Sequence, residues 1–423
     1  MGSGKSQSAI SYMNAHPDKK FIYLTPYCDE ATRIRKACPD LQFVEPGKVS
    51  SETEIPKVAH TRSLLAAGKN VASTHAAFCL YSDDMIPLIQ RYEYTLIIDE
   101  SLSVLTNVIE DPGDIQLLEN AGCIQQIEGQ DYYTLGDTPY TGKKLLDIFD
   151  ICERNCLLKL ANSDETESGH SYFYWELRSN ILQAFHEVFI LTYLWEGQEI
   201  KYYLDANGIM YDYIGIRRVD DRYEFSDVME YYPSYIAALD RMISIFDHDA
   251  SNEVGKDRGS LSVSWYGRAD SSLLERIKKN MTNFVRYYCQ AKTGQALYTC
   301  FKKDVSRLKT YGIGKHIPCN MRATNEYRDR TVLSYPVNIF INPFKKRYLS
   351  KDNQPFNEDL YALSMMIQWI WRSAIRDGNP IKIYIPSLRM RTLLQNWITQ
   401  TMEVYSEHLR ASANPPTAAT PDT

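Results

Sequence analysis

Three short apolar runs in the first hundred residues each end on polar side chains. They are Phe21–Leu24 before Thr25-Pro26, Asn70–Ser73 before Thr74-His75, and Tyr94–Ile98 before Asp99-Glu100. Continuous apolar runs of this length fit strands buried on both faces, as in parallel sheets covered by helices on either side. Helical patterns fill the intervals, one over Ser6–Met13 and another from about Asp29. The alternation predicts an α/β fold whose ligands sit at the carboxyl ends of parallel strands. A fourth run, Val188–Leu191 before Thr192-Tyr193, leads into a helix stopped by Asn207-Gly208 and closes a first domain over residues 1–210. Residues 106–185 interrupt that domain as an insertion, partly helical in "TGKKLLDIFDICERNCLLKL" and otherwise irregular, to which no chemistry is assigned.

A second α/β unit is expected over residues 230–408. "SLSVSWYGR" looks like a strand, "SSLLERIKKNMTNFVRYY" like an amphipathic helix, and "ALYTCFK" like another strand. In "YALSMMIQWIWRSAIRDGNP", Gln368, Arg372 and Arg376 recur at i, i+4 and i+8, which places all three on one side of a helix. Met365, Ile367, Ile370 and Trp371 are left to pack elsewhere. Two arginines aimed at a neighbouring domain can stabilise the charge of a transferring phosphoryl group. Residues 409–423, containing "ASANPPTAATPDT", read as a disordered tail.

The opening "MGSGKSQSAI" carries the end of a phosphate-binding loop, G-x-x-x-x-G-K-[ST]. The first glycine of that pattern would fall upstream of Met1, so the chain reads as opening inside the motif. Gly2, Ser3 and Gly4 can still offer backbone N–H groups to phosphate, Lys5 an ammonium, and Ser6 a hydroxyl for Mg²⁺. Alone, the run reads equally well as a flexible terminal stretch. Asp99-Glu100 at the end of a strand can hold Mg²⁺ through the aspartate and polarise an attacking water through the glutamate. Alone, such a pair is more often a strand end with surface acids. Placed 93 residues after Ser6, with two further strands between, it reads as a Walker B element.

Charge is distributed unevenly. The 423 residues sum to −6, yet residues 1–267 carry −18 and residues 268–351 carry +13, with 18 basic against 5 acidic side chains. A basic segment interleaved with Tyr, Phe and Asn can neutralise phosphates while an acidic remainder suppresses indiscriminate binding; its other reading is a solvated face with no partner. Lys345, Lys346 and Arg347 form its densest cluster, and Arg322, Arg328 and Arg330 a second. No run of 18 apolar residues and no signal-like start is present, so no membrane partner is expected and the location expected is cytoplasmic. Nine scattered cysteines, with Cys152 and Cys156 the only close pair, form no zinc pattern and read as reduced thiols; Mg²⁺ is the metal expected.

The order of these elements resembles the superfamily 2 helicases, and most closely the phage and prophage DEAD/DEAH-box helicase-like proteins. "MGSGKS" looks like motif I, "LTPYCDEATRIR" like Ia, "STHAAF" like Ib, "LIIDES" like II and "LYTCFK" like IV. "LTYLW" stands in the place of III, "RATNEYRDRT" in that of V, and "QWIWRSAIR" is similar to VI. Motif II continues as Ser101-Leu102, the Ser-Ala-Thr of motif III is absent, and Trp371 replaces a usual glycine in VI.

The resemblance implies two tandem RecA-like domains with ATP and Mg²⁺ between them. Gly2, Ser3, Gly4, Lys5, Ser6 and Gln368 would bind nucleotide, Ser6 and Asp99 metal, and Lys5, Asp99, Glu100, Arg372 and Arg376 would be catalytic. Thr25, Pro26, Arg33, Thr74, His75, Arg322, Arg328, Arg330, Lys345, Lys346 and Arg347 would contact the nucleic acid. The activity expected is that of a DNA-dependent ATPase and helicase-like translocase in phage DNA replication or remodelling, acting on single-stranded or forked DNA without regard to sequence, with RNA as the other candidate. The alternative is a nucleic-acid-binding protein that keeps the helicase scaffold and hydrolyses ATP poorly. A packaging motor or a small-molecule kinase is a third reading. For the kinase, a compact lid is missing and a basic second unit is unexplained.

Overall fold

A computed structural model of the chain describes residues 4–47, 56–108, 112–160, 172–321, 326–350 and 354–413. The apolar runs of the first half form a four-stranded, all-parallel sheet in the order Val71–Thr74, Phe21–Thr25, Thr95–Asp99, Glu187–Leu191. Every residue of Phe21–Thr25 is buried, as a strand covered on both faces requires. The period of two divides each strand between two cores. Ile22, Leu24, Leu96 and Ile98 enter one, while Phe21, Tyr23, Ile97 and Leu191 meet Ala9, Ile10 and Met13 of the helix Lys5–Ala15 in the other. Asp99 pairs in register with Leu191, which puts the acidic pair at the carboxyl edge of the sheet.

The second half forms a five-stranded parallel sheet in the order Ile243–Phe246, Ile381–Tyr384, Val332–Ser334, Ala296–Tyr298, Lys315–His316. Leu297, Leu333 and Ile383 pack on one face against Ile367, Trp369 and Leu394, and Tyr298, Val332 and Tyr384 on the other against Ile277, Met281 and Phe284. The α/β class with parallel sheets in both halves is therefore established.

Several elements depart from the sequence reading. The "SLSVSWYGR" run is not a strand. Ser262 accepts the Trp265 N–H at 3.3 Å and caps a short helix, Val263–Arg268. The edge strand of the second sheet is Ile243–Phe246 instead. The insertion contains, besides helices Pro112–Asn120 and Leu146–Glu153, a five-stranded antiparallel sheet in the order Leu105–Asn107, Tyr172–Glu176, Leu157–Leu160, Tyr132–Leu135, Ile124–Gln126. An unanticipated hairpin, Gly215–Val219 with Arg222–Ser226, turns through Asp220 and Asp221, both at positive φ as a two-residue turn demands. Its Phe225 stacks on Phe189 with centroids 5.2 Å apart. The last helix runs from Leu388 to Ala413, so 409–413 of the expected tail are helical, and 414–423 lie outside the described residues. Among the described residues no helix is long and apolar enough to cross a membrane.

Ile97 supports the Asp99 strand from within the core and is fully buried. Ile97→Ala is expected to lower the unfolding free energy by about 2–5 kcal/mol, measured by urea denaturation.

Candidate active site

Gly4 precedes the helix Lys5–Ala15 with φ +81°, a left-handed conformation that costs glycine little and other residues considerably more. A Cβ at this position would also lie 2.2 Å from the Tyr223 ring of the hairpin. The start of this helix, the positive end of its dipole, borders a cleft of about 320 Å³. Lys5 and Ser6 enter the same cleft. Ser6 Oγ lies 3.0 and 3.1 Å from the two carboxylate oxygens of Asp99, and the Tyr23 hydroxyl donates to Asp99 Oδ2 at 2.8 Å. Gly2 and Ser3 lie outside the described residues.

Glu100 takes φ +65°, uncommon for a residue with a side chain, and its N–H donates to Leu191 O at 3.2 Å. This turn separates the two acids. Asp99 faces the Lys5 helix, and Glu100 faces the second sheet, where Arg372 Nη2 donates to Glu100 Oε1 at 2.9 Å. Arg372 is only 3% exposed. Gln368, Arg372 and Arg376 do line one cleft with Lys5, Ser6, Asp99 and Glu100, yet not from a single helix. The helix ends at Ile370. Ser373 is extended, and Arg376 belongs to a 3₁₀ turn, Ala374–Asp377, anchored where the Ala374 N–H donates to Arg330 O at 2.9 Å. Trp369 and Trp371 are both buried in the second unit's core, and the Trp371 N–H, donating to Ile367 O at 3.0 Å, caps the end of the helix.

Burial lowers the Lys5 ammonium from its ordinary range, opposed by the attraction of Asp99 and Glu100. Burial likewise raises the Asp99 carboxyl, with the Glu100 charge adding to the rise and the Tyr23 and Ser6 hydrogen bonds opposing it. Arg376 is lowered by burial, then by Arg372 and Arg328 nearby. The cleft thus concentrates four cations, Lys5, Arg33, Arg372 and Arg376, with three carboxylates, Glu30, Asp99 and Glu100, an arrangement suited to a polyanion carrying a metal ion. A serine hydroxyl and a carboxylate in contact are hard oxygen donors that fit Mg²⁺. One oxygen of Glu100, Oε2, is buried without a hydrogen-bond partner.

The candidate nucleic-acid contacts are scattered by comparison. Thr25 is fully buried, with its Oγ1 unpartnered, and Pro26 follows it. Thr74 caps the short helix that begins at His75 by accepting the Ala77 N–H at 3.3 Å. Arg33 lines the same cleft as Lys5 and Asp99, where it bonds Glu30 at 2.6 Å. Arg328 pairs with Asp377, Arg330 contacts Asp329 at 3.3 Å, and Arg322 lies outside the described residues. Lys345 and Lys346 are tied to Glu199 at 2.9 Å and Glu358 at 3.0 Å, while Arg347 lies over the Phe344 ring. Sequence reasoning missed Tyr23, which orients Asp99, and Tyr193, whose ring lies 5.7 Å from Lys5 Nζ. Tyr23 is the middle residue of the strand Phe21–Thr25 and Tyr193 lies two residues past Glu187–Leu191, and the neighbours of both are fixed only by the fold, so no sequence pattern marks them.

Known proteins share parts of this plan. Over 406 residues the chain is 35% identical to the SPbeta prophage-derived uncharacterized protein YonV of Bacillus subtilis (strain 168), spanning 94% of this chain and 97% of that one. Residues 237–398 match the family described as the YonV C-terminal Rossmann-like domain. Among solved structures, an apo XPD and an XPD helicase each align at TM-score 0.45 and 13% identity over 93% of this chain, covering 94% and 93% of theirs. S. tokodaii Xpd4 aligns at TM-score 0.37 and 11% identity, over 94% of this chain and 92% of its own.

The Glu100–Arg372 contact joins residues 272 positions apart. Arg372→Ala is expected to cost on the order of 1–3 kcal/mol by leaving the part-buried Glu100 Oε1 without its donor. A double-mutant cycle with Glu100→Ala, followed by thermal denaturation, should show the two losses to be less than additive.

Proposed function

We propose that this chain, which belongs to the YonV family, is a Mg²⁺-ATP hydrolase that couples turnover between its two α/β units to movement on, or remodelling of, DNA in the cytoplasm. The observation that carries the reading is one cleft in which Gly4–Ser6 and Asp99-Glu100 of the first unit face Gln368, Arg372 and Arg376 of the second. Ser6 and Asp99 would hold Mg²⁺, which would supply positive charge against the phosphates. The N–H groups at the start of the Lys5 helix and the Lys5 ammonium bind and orient the triphosphate. Tyr23 keeps Asp99 turned toward Ser6.

Glu100 accepts a proton from the attacking water. While Arg372 holds its Oε1, Glu100 is restrained. A γ-phosphate arriving in the cleft offers Arg372 a second anionic partner, and its transfer from carboxylate to phosphate releases Glu100 as the units close. Arg376, disfavoured beside Arg372 and Arg328, gains a counter-charge in the same movement. DNA contacts of this reading involve phosphate rather than bases, so binding is independent of sequence; RNA is the competing polymer. The same Glu100–Arg372 pair favours a second reading, a nucleic-acid-binding protein in which the clasp persists and hydrolysis is poor.

Glu100→Gln should abolish ATP turnover while sparing ATP binding, and Arg372→Ala and Arg376→Ala should slow turnover by roughly 10³-fold with little change in affinity. Chelation of Mg²⁺ should stop turnover of the wild type. Unchanged hydrolysis in Glu100→Gln overturns the catalytic assignment, and DNA binding without any stimulated turnover in the wild type selects the second reading. For single strands, log affinity should fall with log salt by about 0.7 per phosphate contacted. Arg347→Ala should flatten that slope.

A further inference from the structure

A second cavity, also of about 320 Å³, opens from the first behind Lys5. Lys5, Leu191, Thr192, Tyr193 and Trp371 line both. Its volume falls at the lower end of the roughly 300–1,000 Å³ typical of small-molecule sites. The walls include the end of strand Glu187–Leu191, the hairpin through Ile216 and Phe225, the connection that carries Met229, Tyr232 and Tyr235, and the second unit through Trp371 and Trp397.

The rings brace one another. Trp397 Nε1 donates to the Tyr193 hydroxyl at 2.8 Å, Trp371 stands edge-on to Trp397 at 5.6 Å, and Tyr235 lies 6.2 Å from Trp371. Apart from Lys5, no charged side chain and no histidine, asparagine or glutamine lines this cavity among the described residues. Three buried polar atoms of its walls, Thr192 Oγ1, Trp195 Nε1 and Trp371 Nε1, have no hydrogen-bond partner.

From this continuity we infer that the aromatic cavity receives the base and ribose of the nucleotide whose phosphates lie at Gly4–Ser6, and that it accepts nucleoside triphosphates with little regard to base. The inference rests on the reading of the cleft as a triphosphate site and adds to it the identity of the substrate class. An occupant must be flat and apolar at one end and anionic where it passes Lys5, which a nucleoside triphosphate is. Stacking on tyrosine and tryptophan is available to every base, since each presents a π face. One hydroxyl and two indole N–H groups, on separate walls, can meet a sugar hydroxyl or an isolated ring atom. They cannot read the several donors and acceptors along a base edge, and sites that reject wrong substrates by large factors do so through such paired polar groups.

The test is equilibrium binding of ATP, GTP, CTP, UTP and tripolyphosphate, each with Mg²⁺, to the full chain. The four nucleotides should bind within about tenfold of one another. Met229→Trp, which fills the cavity, and Tyr232→Ala, which removes a ring, should weaken all four by about tenfold or more while tripolyphosphate binds as before. Retained tripolyphosphate binding also shows that each variant is folded. Preference for one base by a thousandfold, or nucleotide affinity indifferent to both substitutions, overturns the inference and leaves the phosphate site standing. Failure of the wild type to bind tripolyphosphate removes the phosphate site, and the base cavity with it.

Discussion

A guanidinium that is 3% exposed cannot stand in a protein interior without a counter-charge, and for Arg372 the counter-charge comes from the other half of the chain. That requirement fixes how the two sheets meet. Glu100 must be turned out of line from Asp99, and its left-handed backbone accomplishes this at the first residue after the strand. The carboxyl edge of the first sheet then faces the segment after Ile370, and Gln368 and Arg376 enter the same cleft. A single ion pair thus sets the distance across which any nucleotide would be held.

The first sheet was legible because each strand is a continuous apolar run closed by polar residues, and the fold keeps each within a residue or so of that reading. The second sheet was less so. Ile243–Phe246 is four residues long between Asp240-Arg241 and Asp247, too short for its pattern to stand out, whereas "SLSVSWYGR" alternates like a strand but yields to the cap at Ser262. The insertion sheet uses strands of three to five residues, too short for an alternating pattern to stand out, so pairing rather than pattern makes them. Helical spacing selected Gln368, Arg372 and Arg376 correctly as neighbours for a reason that does not hold, since two of the three follow the helix end.

Charge counting and charge placement also diverge. The segment 268–351 is rich in cations, but Lys345 and Lys346 are joined to Glu199 and Glu358, acids drawn from outside it. Part of the apparent excess therefore fastens the helix Pro343–Leu349 to its neighbours instead of remaining available to an external polyanion. Ion pairs this local are invisible to a net sum.

Gly4 and Tyr223, more than two hundred positions apart, constrain one another unequally. Replacing Tyr223 with a smaller residue would clear the space in front of Gly4, yet φ +81° would still exclude nearly every other side chain there. Substitution at 223 can thus be absorbed by a glycine already present, while substitution at 4 needs both the ring and the backbone to give way. Descendants of this sequence are free to drift at the hairpin long before they can drift at the glycine.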